Sequence, residues 1–447
     1  MSIHDEDPRT AGERGLAEGA RSIPVPATVL PSGDETEEPR SMPRWLWVVY
    51  PLALIGINTV WGAVLQVLLG RQVAGLVEDP RAAAGALGAV LSIASVVALV
   101  AQPVMGRLSD LTRTPWLGRR NIWVLGGAVG AVLALLALGS TSNLILVGVL
   151  WAVAMVPLSG LQAALTAVLP ERVPLARRGT MSGIVAMSQL VGFVLGVTLG
   201  GLTSTVFVGY LVAGVVLLAT GLVFALTTRD TPAPARNDSL SREQRRLANR
   251  IPGLRSHPDF WLTFLGRFLM VFGYFLISGF NLFLLKDYIK VGDGSVDAAS
   301  QVLVAATGLN ALVSLVFAVI GGILSDRFGK VRIFVTLSSL LFLPACIVFV
   351  IAPTLTGFFV AQALLGAAFG MFGAVDQVLI TRVLPSTRNA ARDLGLINVA
   401  NSGPQVIAPA AAGGLIAATG NYPVLFVITA VVVVLAAITV RFIKTVP

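Results

Sequence analysis

From Arg44 to the C-terminus the chain alternates apolar stretches of about twenty residues with short polar breaks. A helix needs about 20 residues to cross the hydrocarbon core of a bilayer. The pattern therefore predicts twelve spans, near 45–69, 83–106, 122–140, 143–168, 180–202, 206–227, 260–285, 299–323, 332–352, 355–380, 394–417 and 421–443. One polar interruption is much longer than the others. It separates six spans from six and divides the chain into a tail (1–43), a first six-helix bundle (44–227), a linker (228–259) and a second six-helix bundle (260–447). The expected fold class is an all-α polytopic membrane protein.

Composition agrees with that reading. Hydrophobic residues make up 55% of the chain and charged residues 12%, against about 25% charge in soluble domains. Charge placement sets an expected orientation. With a cytoplasmic N-terminus, 27 of the 32 Lys and Arg fall in cytoplasmic tails and loops, four (Arg71, Arg81, Lys286, Lys290) fall outside, and Arg267 lies within a span. The positive-inside rule demands that asymmetry, so both termini are expected in the cytoplasm and the membrane is expected to be the plasma (inner) membrane. The net charge of +9 is thereby explained by topology, and no nucleic-acid partner is expected. Residues 1–43 are acidic, rich in Pro and Gly, and lack an apolar h-region, which reads as a disordered tail. The linker carries seven Arg, and Ser241 to Gln244 form a possible capping box opening a short surface helix. Cys346 is the one cysteine and is expected to pack inside span nine. His4 and His257 lie outside the spans, which leaves no His-based metal site or proton relay in the membrane. No cofactor is expected.

The halves repeat each other. Gly106-Arg-Leu-Ser-Asp110 leads into Gly118, Arg119 and Arg120, and Gly322-Ile-Leu-Ser-Asp326 leads into Arg327, Gly329 and Lys330. Gly106 and Gly322 are 216 positions apart, as are Asp110 and Asp326. Gly179, Ser182 and Gln189 align at the same offset of 216 with Gly395, Asn398 and Gln405. Parallel repeats related by an axis along the membrane normal describe two-half carriers with a central solute site.

On these motifs the chain resembles the major facilitator superfamily over nearly its whole length from Arg44. The resemblance implies twelve transmembrane helices in two six-helix pseudo-symmetric halves. Gly322 to Lys330 match the superfamily's compact loop motif. The first copy is longer, and Ser109, Asp110, Thr112, Arg113, Thr114, Trp116 and Gly118 to Arg120 look like the form found in glycoside–pentoside–hexuronide and sucrose carriers. By resemblance, Asp110 and Arg113 belong to a cytoplasmic charge cluster that holds the outward-facing state and is released in the other. Two features depart from the sugar-carrier pattern. Span two has no Asp or Glu between Gly85 and Gly106, which disfavours sodium coupling of the melibiose-carrier kind. In span five, Gly183, Gly192, Gly196, Gly200 and Gly201 resemble the antiporter motif of drug–proton exporters, with Val197 in place of its proline. Small residues in that spacing equally serve close helix packing, and span four lacks the exporters' arginine.

After the charges of the loops and span ends are assigned, only Arg267 and Asp376 remain inside the spans. An intramembrane charge costs at least ~2.5–3.5 kcal/mol and is usually paired or functional. At 1.5 Å per residue Arg267 lies about 12 Å past Asp259, and Asp376 about 9 Å before Arg382, so a pair between spans seven and ten is feasible. Arg267, Tyr274, Ser278 and Asn281 form one stripe on span seven, and Gln362, Phe369, Gly373 and Asp376 one on span ten. Span one adds Asn58, Trp61 and Gln66, and span four adds Trp151 and Gln162. Amides, a phenol and indoles suit a neutral polyol, and they equally suit an amphipathic drug. Asn58, Trp61, Gln66, Trp151, Gln162, Tyr274, Ser278, Asn281 and Gln362 are thus the candidate solute residues, and Asp376 with Arg267 the candidate proton-coupling pair.

The expected function is secondary active transport of a small solute by alternating access, as proton-coupled uptake (symport) of a sugar or glycoside. Proton-driven efflux of a drug or metabolite is the alternative, and a solute sensor that does not translocate is a third. No nucleotide-binding loop or nucleophile–base pair stands out, so an enzyme is not expected. The expected partners are the solute, protons and the lipid bilayer, and the expected state is a monomer.

Overall fold

A computed structural model describes residues 43–112, 117–228, 252–383 and 390–443. Among these run twelve long helices: α1 (Leu46–Leu76), α2 (Pro80–Leu111), α3 (Asn121–Ser140), α4 (Leu144–Arg172), α5 (Leu175–Leu202), α6 (Val206–Thr227), α7 (Pro258–Ser278), α8 (Val296–Phe328), α9 (Val331–Ile351, broken at Leu341), α10 (Leu355–Val383), α11 (Ala390–Thr419) and α12 (Pro423–Arg441). Each overlaps one expected span. Eleven are long and apolar enough to cross a membrane. The exception is α11, whose 30 residues include Asn398, Asn401, Ser402, Gln405, Pro404 and Pro409. The chain is a multi-pass membrane protein. Residues 1–42, most of the linker with Ser241 to Gln244, and Arg113, Thr114 and Trp116 lie outside the described residues.

We call the face on which α1 and α7 begin the near face and its opposite the far face. Five far-face connections are three residues long: 77–79, 141–143, 203–205, 352–354 and 420–422. Polar residues start several helices there, because the first N–H groups of a helix need acceptors. The Asn143 Oδ1 accepts from Ile145 N at 2.9 Å and Leu146 N at 3.2 Å, and the Asp79 carboxylate accepts from Arg81 N at 3.3 Å and Ala82 N at 3.2 Å.

Helix pairing repeats between the halves. In the first half α1 packs on α5 and α6, α4 on α2 and α3, and α3 on α6; in the second α7 packs on α11 and α12, α10 on α8 and α9, and α9 on α12. The halves meet along two seams, α2 with α11 and α5 with α8, which exchange under the same repeat. Between the seams lie α1, α4, α7 and α10. Residues from the two halves approach closely at the far ends of their helices: Gly85 with Ala417, Gly88 with Gly413, Gly201 with Ser300 and Val304, Gly70 with Leu282, and Gly279 with Leu91. Toward the near face a Cβ on Gly179 or Gly183 of α5 would meet no heavy atom within 4 Å. Among the described residues, the molecule is closed on its far face and opens toward its near face.

One expectation about topology is corrected. The first helix does not end near residue 69; it runs on to Leu76, with a wide π-turn at Val64–Leu68. Arg71 and Gln72, read as lying beyond the span, are therefore helical and buried. A hydropathy reading ends a span at its first polar residues, but here tertiary acceptors satisfy both. The Gln72 Nε2 donates to Leu138 O at 2.8 Å and Thr141 O at 3.1 Å, while its Oε1 accepts from the Tyr210 hydroxyl at 2.9 Å.

The glycines of α5 pack against α1. A Cβ on Gly192 would meet the backbone of Ile55, one on Gly196 that of Thr59 and Ala63, and one on Gly200 that of Ala63. Small residues let membrane helices approach to backbone contact, and here they bring α5 onto α1. Gly196→Val should lower the melting point of the purified protein, by about 1–3 kcal/mol of overpacking. Gly183→Val, facing open space, should melt close to the parent. Equal melting of the two variants would remove this role from the stripe.

Candidate functional site

The site takes its polar groups from α7 and α10 and its large rings from α1, α4, α7 and α10. Arg267 on α7 and Asp376 on α10 form an ion pair through the Arg267 Nη1 and Asp376 Oδ2. The carboxylate is 2% exposed as a residue, and the Arg267 Nε finds no acceptor among the described residues. Burial of Asp376 makes the pairing matter, because breaking it would leave an uncompensated charge inside the protein.

Toward the far face, α7 continues through a short turn, Asn281–Phe283, into a second π-turn, Leu284–Tyr288. Asn281 and Gln362 are joined there: the Gln362 Nε2 donates to the Asn281 Oδ1 at 3.0 Å. Asn310 of α8, which the stripes did not single out, donates its Nδ2 to the Gln362 backbone O at 2.9 Å and side-chain Oε1 at 3.3 Å. The stripe rule finds residues along one helix and so cannot find a partner contributed by another. Ser278 is buried, and its Oγ has no partner among the described residues.

The rings form two pairs on repeat-equivalent helices. Trp61 of α1 meets Trp151 of α4 edge-on at 6.3 Å between centroids. Tyr274 of α7 stacks on Phe369 of α10 at 4.1 Å and 21°. Trp61, Tyr274 and Phe369 are half-buried, whereas Trp151 is 1% exposed and presents little ring to a solute. Asn58 and Gln162 are half-buried and bond within their own helices, to Leu54 O at 2.8 Å and the Thr166 hydroxyl at 3.4 Å. Gln66 lies half-buried inside the first π-turn, whose extra residue shifts it from the register of an ideal helix.

The repeated loop motif is built differently in its two copies. In the first, Arg120 is buried between α2 and α4, with Nη2 at 2.6 Å from Asp110 Oδ1, Nη1 donating to the Ser109 hydroxyl at 3.0 Å, and Nε donating to Glu171 at 3.2 Å. Arg119 pairs with the same Glu171 at 2.9 Å. Burial would lower the Arg120 pKa, but the Glu171 and Asp110 carboxylates outweigh it and hold the value above the ordinary one. Glu171 escaped the motif reading because it follows Pro170 at the end of α4, far away in sequence. Gly118 turns the loop with φ of 84°. Gly106 lies near Ala163 of α4. In the second copy Gly329 ends α8 with φ of 66°, its N–H donating to Ser325 O at 2.9 Å, and Lys330 leads straight into α9. Arg327 and Lys330 are exposed, a Cβ on Gly322 would meet open space, and the Asp326 side chain lies outside the described residues. Among the described residues, the acidic–basic cluster of the first copy joins the end of α2, the following loop and the end of α4.

A family model for the major facilitator superfamily matches residues 46–308 and 294–447. The chain belongs to that superfamily of transporters. Among solved structures it is similar to the nucleoside transporter NupG. A mutant form superposes with a TM-score of 0.72 at 13% identity, covering 89% of this chain and 99% of that one. The other NupG structure gives 0.68 at 14% identity, covering 89% and 98%. A bacterial homologue of the human lysosomal transporter Spinster, in an inward-facing and unoccupied conformation, gives 0.62 at 16% identity, covering 89% and 93%. No curated protein matches the chain in sequence.

The Arg120 cluster makes a direct prediction. Glu171→Gln should strip two arginines of their shared carboxylate and lower the unfolding midpoint, costing about 1–3 kcal/mol for the buried guanidinium left short of acceptors. An unchanged midpoint in a thermal melt would show that the remaining partners of Arg120, Ser109 and Asp110 among them, suffice.

Proposed function

We propose that this chain is a proton-coupled carrier that takes up a sugar or glycoside by alternating access. The carrying observation is the buried Arg267–Asp376 pair, which bridges α7 and α10 between the seams. On this reading Asp376 takes up and releases the coupling proton. When Asp376 is neutral, the charge attraction to Arg267 is lost, and α7 and α10 can change their packing. The neutral amides of Asn281 and Gln362 and the half-buried rings of Trp61, Tyr274 and Phe369 supply hydrogen bonds and flat faces. Those groups suit a solute that joins hydroxyls to a ring. A nucleoside is such a glycoside, and NupG, named a nucleoside transporter, shares the fold. The extended first loop, with its glycoside–pentoside–hexuronide-like form, favours the same class. Of the exporter-like glycines of α5, Gly192, Gly196 and Gly200 pack on α1, the structural role that small residues in that spacing equally serve.

By the positive-inside rule the near face is cytoplasmic, with both termini inside; on the proposed reading the protein is also a monomer in the plasma membrane. The described state is then open to the cytoplasm.

Asp376→Asn tests the coupling. In proteoliposomes the variant should lose accumulation driven by a proton gradient by at least about tenfold while keeping downhill counterflow, with the binding free energy of the solute little changed. Undiminished accumulation would remove Asp376 from the coupling role. A panel of sugars, nucleosides and lipophilic cations in a thermal-shift assay tests the solute, and stabilisation by the cations alone would favour export.

A further inference from the structure

Two arginines of the first half, remote from the solute site, meet the second half on the far face. Arg71 is nearly buried, its side chain 6% exposed. Its Nη1 donates to Gly200 O at 3.1 Å and Thr203 O at 2.9 Å, at the C-terminal end of α5. Its Nη2 donates to Asp297 Oδ1 at 2.7 Å, in the first turn of α8. One guanidinium thus pins the end of α5 to the start of α8. The helix ends favour this, because the last carbonyls of α5 attract a cation and the first turn of α8 attracts an anion.

Arg81 packs on the second half at the other seam. It lies in the first turn of α2, and its guanidinium packs against Gly420, where a Cβ would collide with it. Gly420 follows the last residue of α11 with φ of 63°. A cation from one half therefore sits at the C-terminal end of a helix from the other.

The internal repeat relates these residues with their charges exchanged. At the offset of 216, Asp287 takes the place of Arg71, and Asp297 takes the place of Arg81. Arg81 and Asp287 line one far-face cavity of about 620 Å³. There Asp287 accepts from the Lys286 Nζ at 2.7 Å and the Tyr422 hydroxyl at 3.2 Å. One of the two repeat-related pairs is made, and in the other each residue has a different partner.

We propose that Arg71 with Asp297, and Arg81 with the Gly420 end of α11, clasp the halves shut on the far face, and that parting of Arg71 from Asp297 accompanies far-face opening. The clasp is built to release. Gly200 and Thr203 belong to the same half as Arg71, so they stay with the guanidinium when Asp297 leaves. Asp297, 72% exposed on its side chain, returns to water at little cost. The proposal rests on the two-half carrier architecture and not on the solute assigned above.

A disulfide trap reads the closed state directly. A Cβ built on Gly85 lies 3.2 Å from the Ala417 Cβ, near the Cβ separation of about 3.5–4.5 Å that a disulfide spans. Gly85→Cys with Ala417→Cys, in a Cys346→Ser background, should crosslink readily under mild oxidant in liposomes without any solute. Adding Asp297→Ala should slow crosslinking by about fivefold, and Asp297→Glu should restore most of the rate. Rising salt should slow the parent, because Asp297 is exposed, and leave the Asp297→Ala protein unaffected. A wild-type rate in Asp297→Ala, or a loss that Asp297→Glu fails to reverse, would overturn the proposal. A melting curve of Asp297→Ala matching the parent confirms that a slower rate reports opening. Because no solute enters the measurement, a wrong solute class leaves its outcome untouched.

Discussion

Hydrocarbon offers no hydrogen-bond partner, so a guanidinium withdrawn from water constrains every helix that must supply it with acceptors. A guanidinium carries five N–H donors and cannot shed its charge. Three arginines with largely buried side chains carry that constraint here. Arg71 gathers α1, α5 and α8, Arg120 gathers α2 and α4, and Arg267 joins α7 to α10. Each has at least one carboxylate within bonding distance, and each takes it from another helix or from the far side of a loop. Apolar helices slide past one another with little penalty in lipid, because lipid tails are as apolar as the helix surfaces. These charged contacts therefore do much to select the register in which the helices pack.

Small residues decide how near the helices come, and they act differently within and between the halves. On α5, Gly192, Gly196 and Gly200 meet the backbone of α1 inside one half, while Gly201, one residue further, meets Ser300 and Val304 of the other. The same helix thus belongs to a permanent interface and to a seam. On the α2–α11 seam the approach is glycine to glycine, Gly88 against Gly413. Such a contact has no interlocking side chains to pull apart. The five helix pairings that repeat in each half make each half a packed body, and the far-face clasps add charged contacts to the close-packed seams between them.

The helices and their duplication were legible because membrane spans and repeats are local or periodic signals. Span ends were less so: Arg71 and Gln72 look like the start of a loop until their acceptors on α5 and on the α3 end are known. The Arg267–Asp376 pair could be foreseen from depth alone, since two lone charges at one level on neighbouring helices have few alternatives. Glu171 and Asn310 could not. Each completes a network begun by residues some fifty positions away, and no period in the chain marks it. Trp151 illustrates the opposite error of scale, because a ring on the expected helix still lies 1% exposed once its neighbours are packed. A stripe identifies the face of a helix and leaves open how much of each side chain the adjoining helix covers.

The second half carries the ionic chemistry of the proposed solute region, and α7 ties that chemistry to the far face. Arg267 lies at its middle, Tyr274 near its end, and Asn281 just past it, followed by the π-turn that carries Lys286 and Asp287 into the far-face cavity. The equivalent helix of the first half, α1, runs from the half-buried Asn58 and Trp61 through its own π-turn to Arg71. A π-turn inserts a residue into the helical ladder and commonly marks functional positions. Here one stands in each half between the proposed solute region and the far-face contacts. A shift in the packing of α7 at the Arg267–Asp376 pair therefore has a direct mechanical route to the far face. Through the Gly70–Leu282 contact it also reaches α1 one residue before Arg71. On the proposed reading, protonation at the middle of α7 and unclasping at the far end of α1 are two ends of one connected structure.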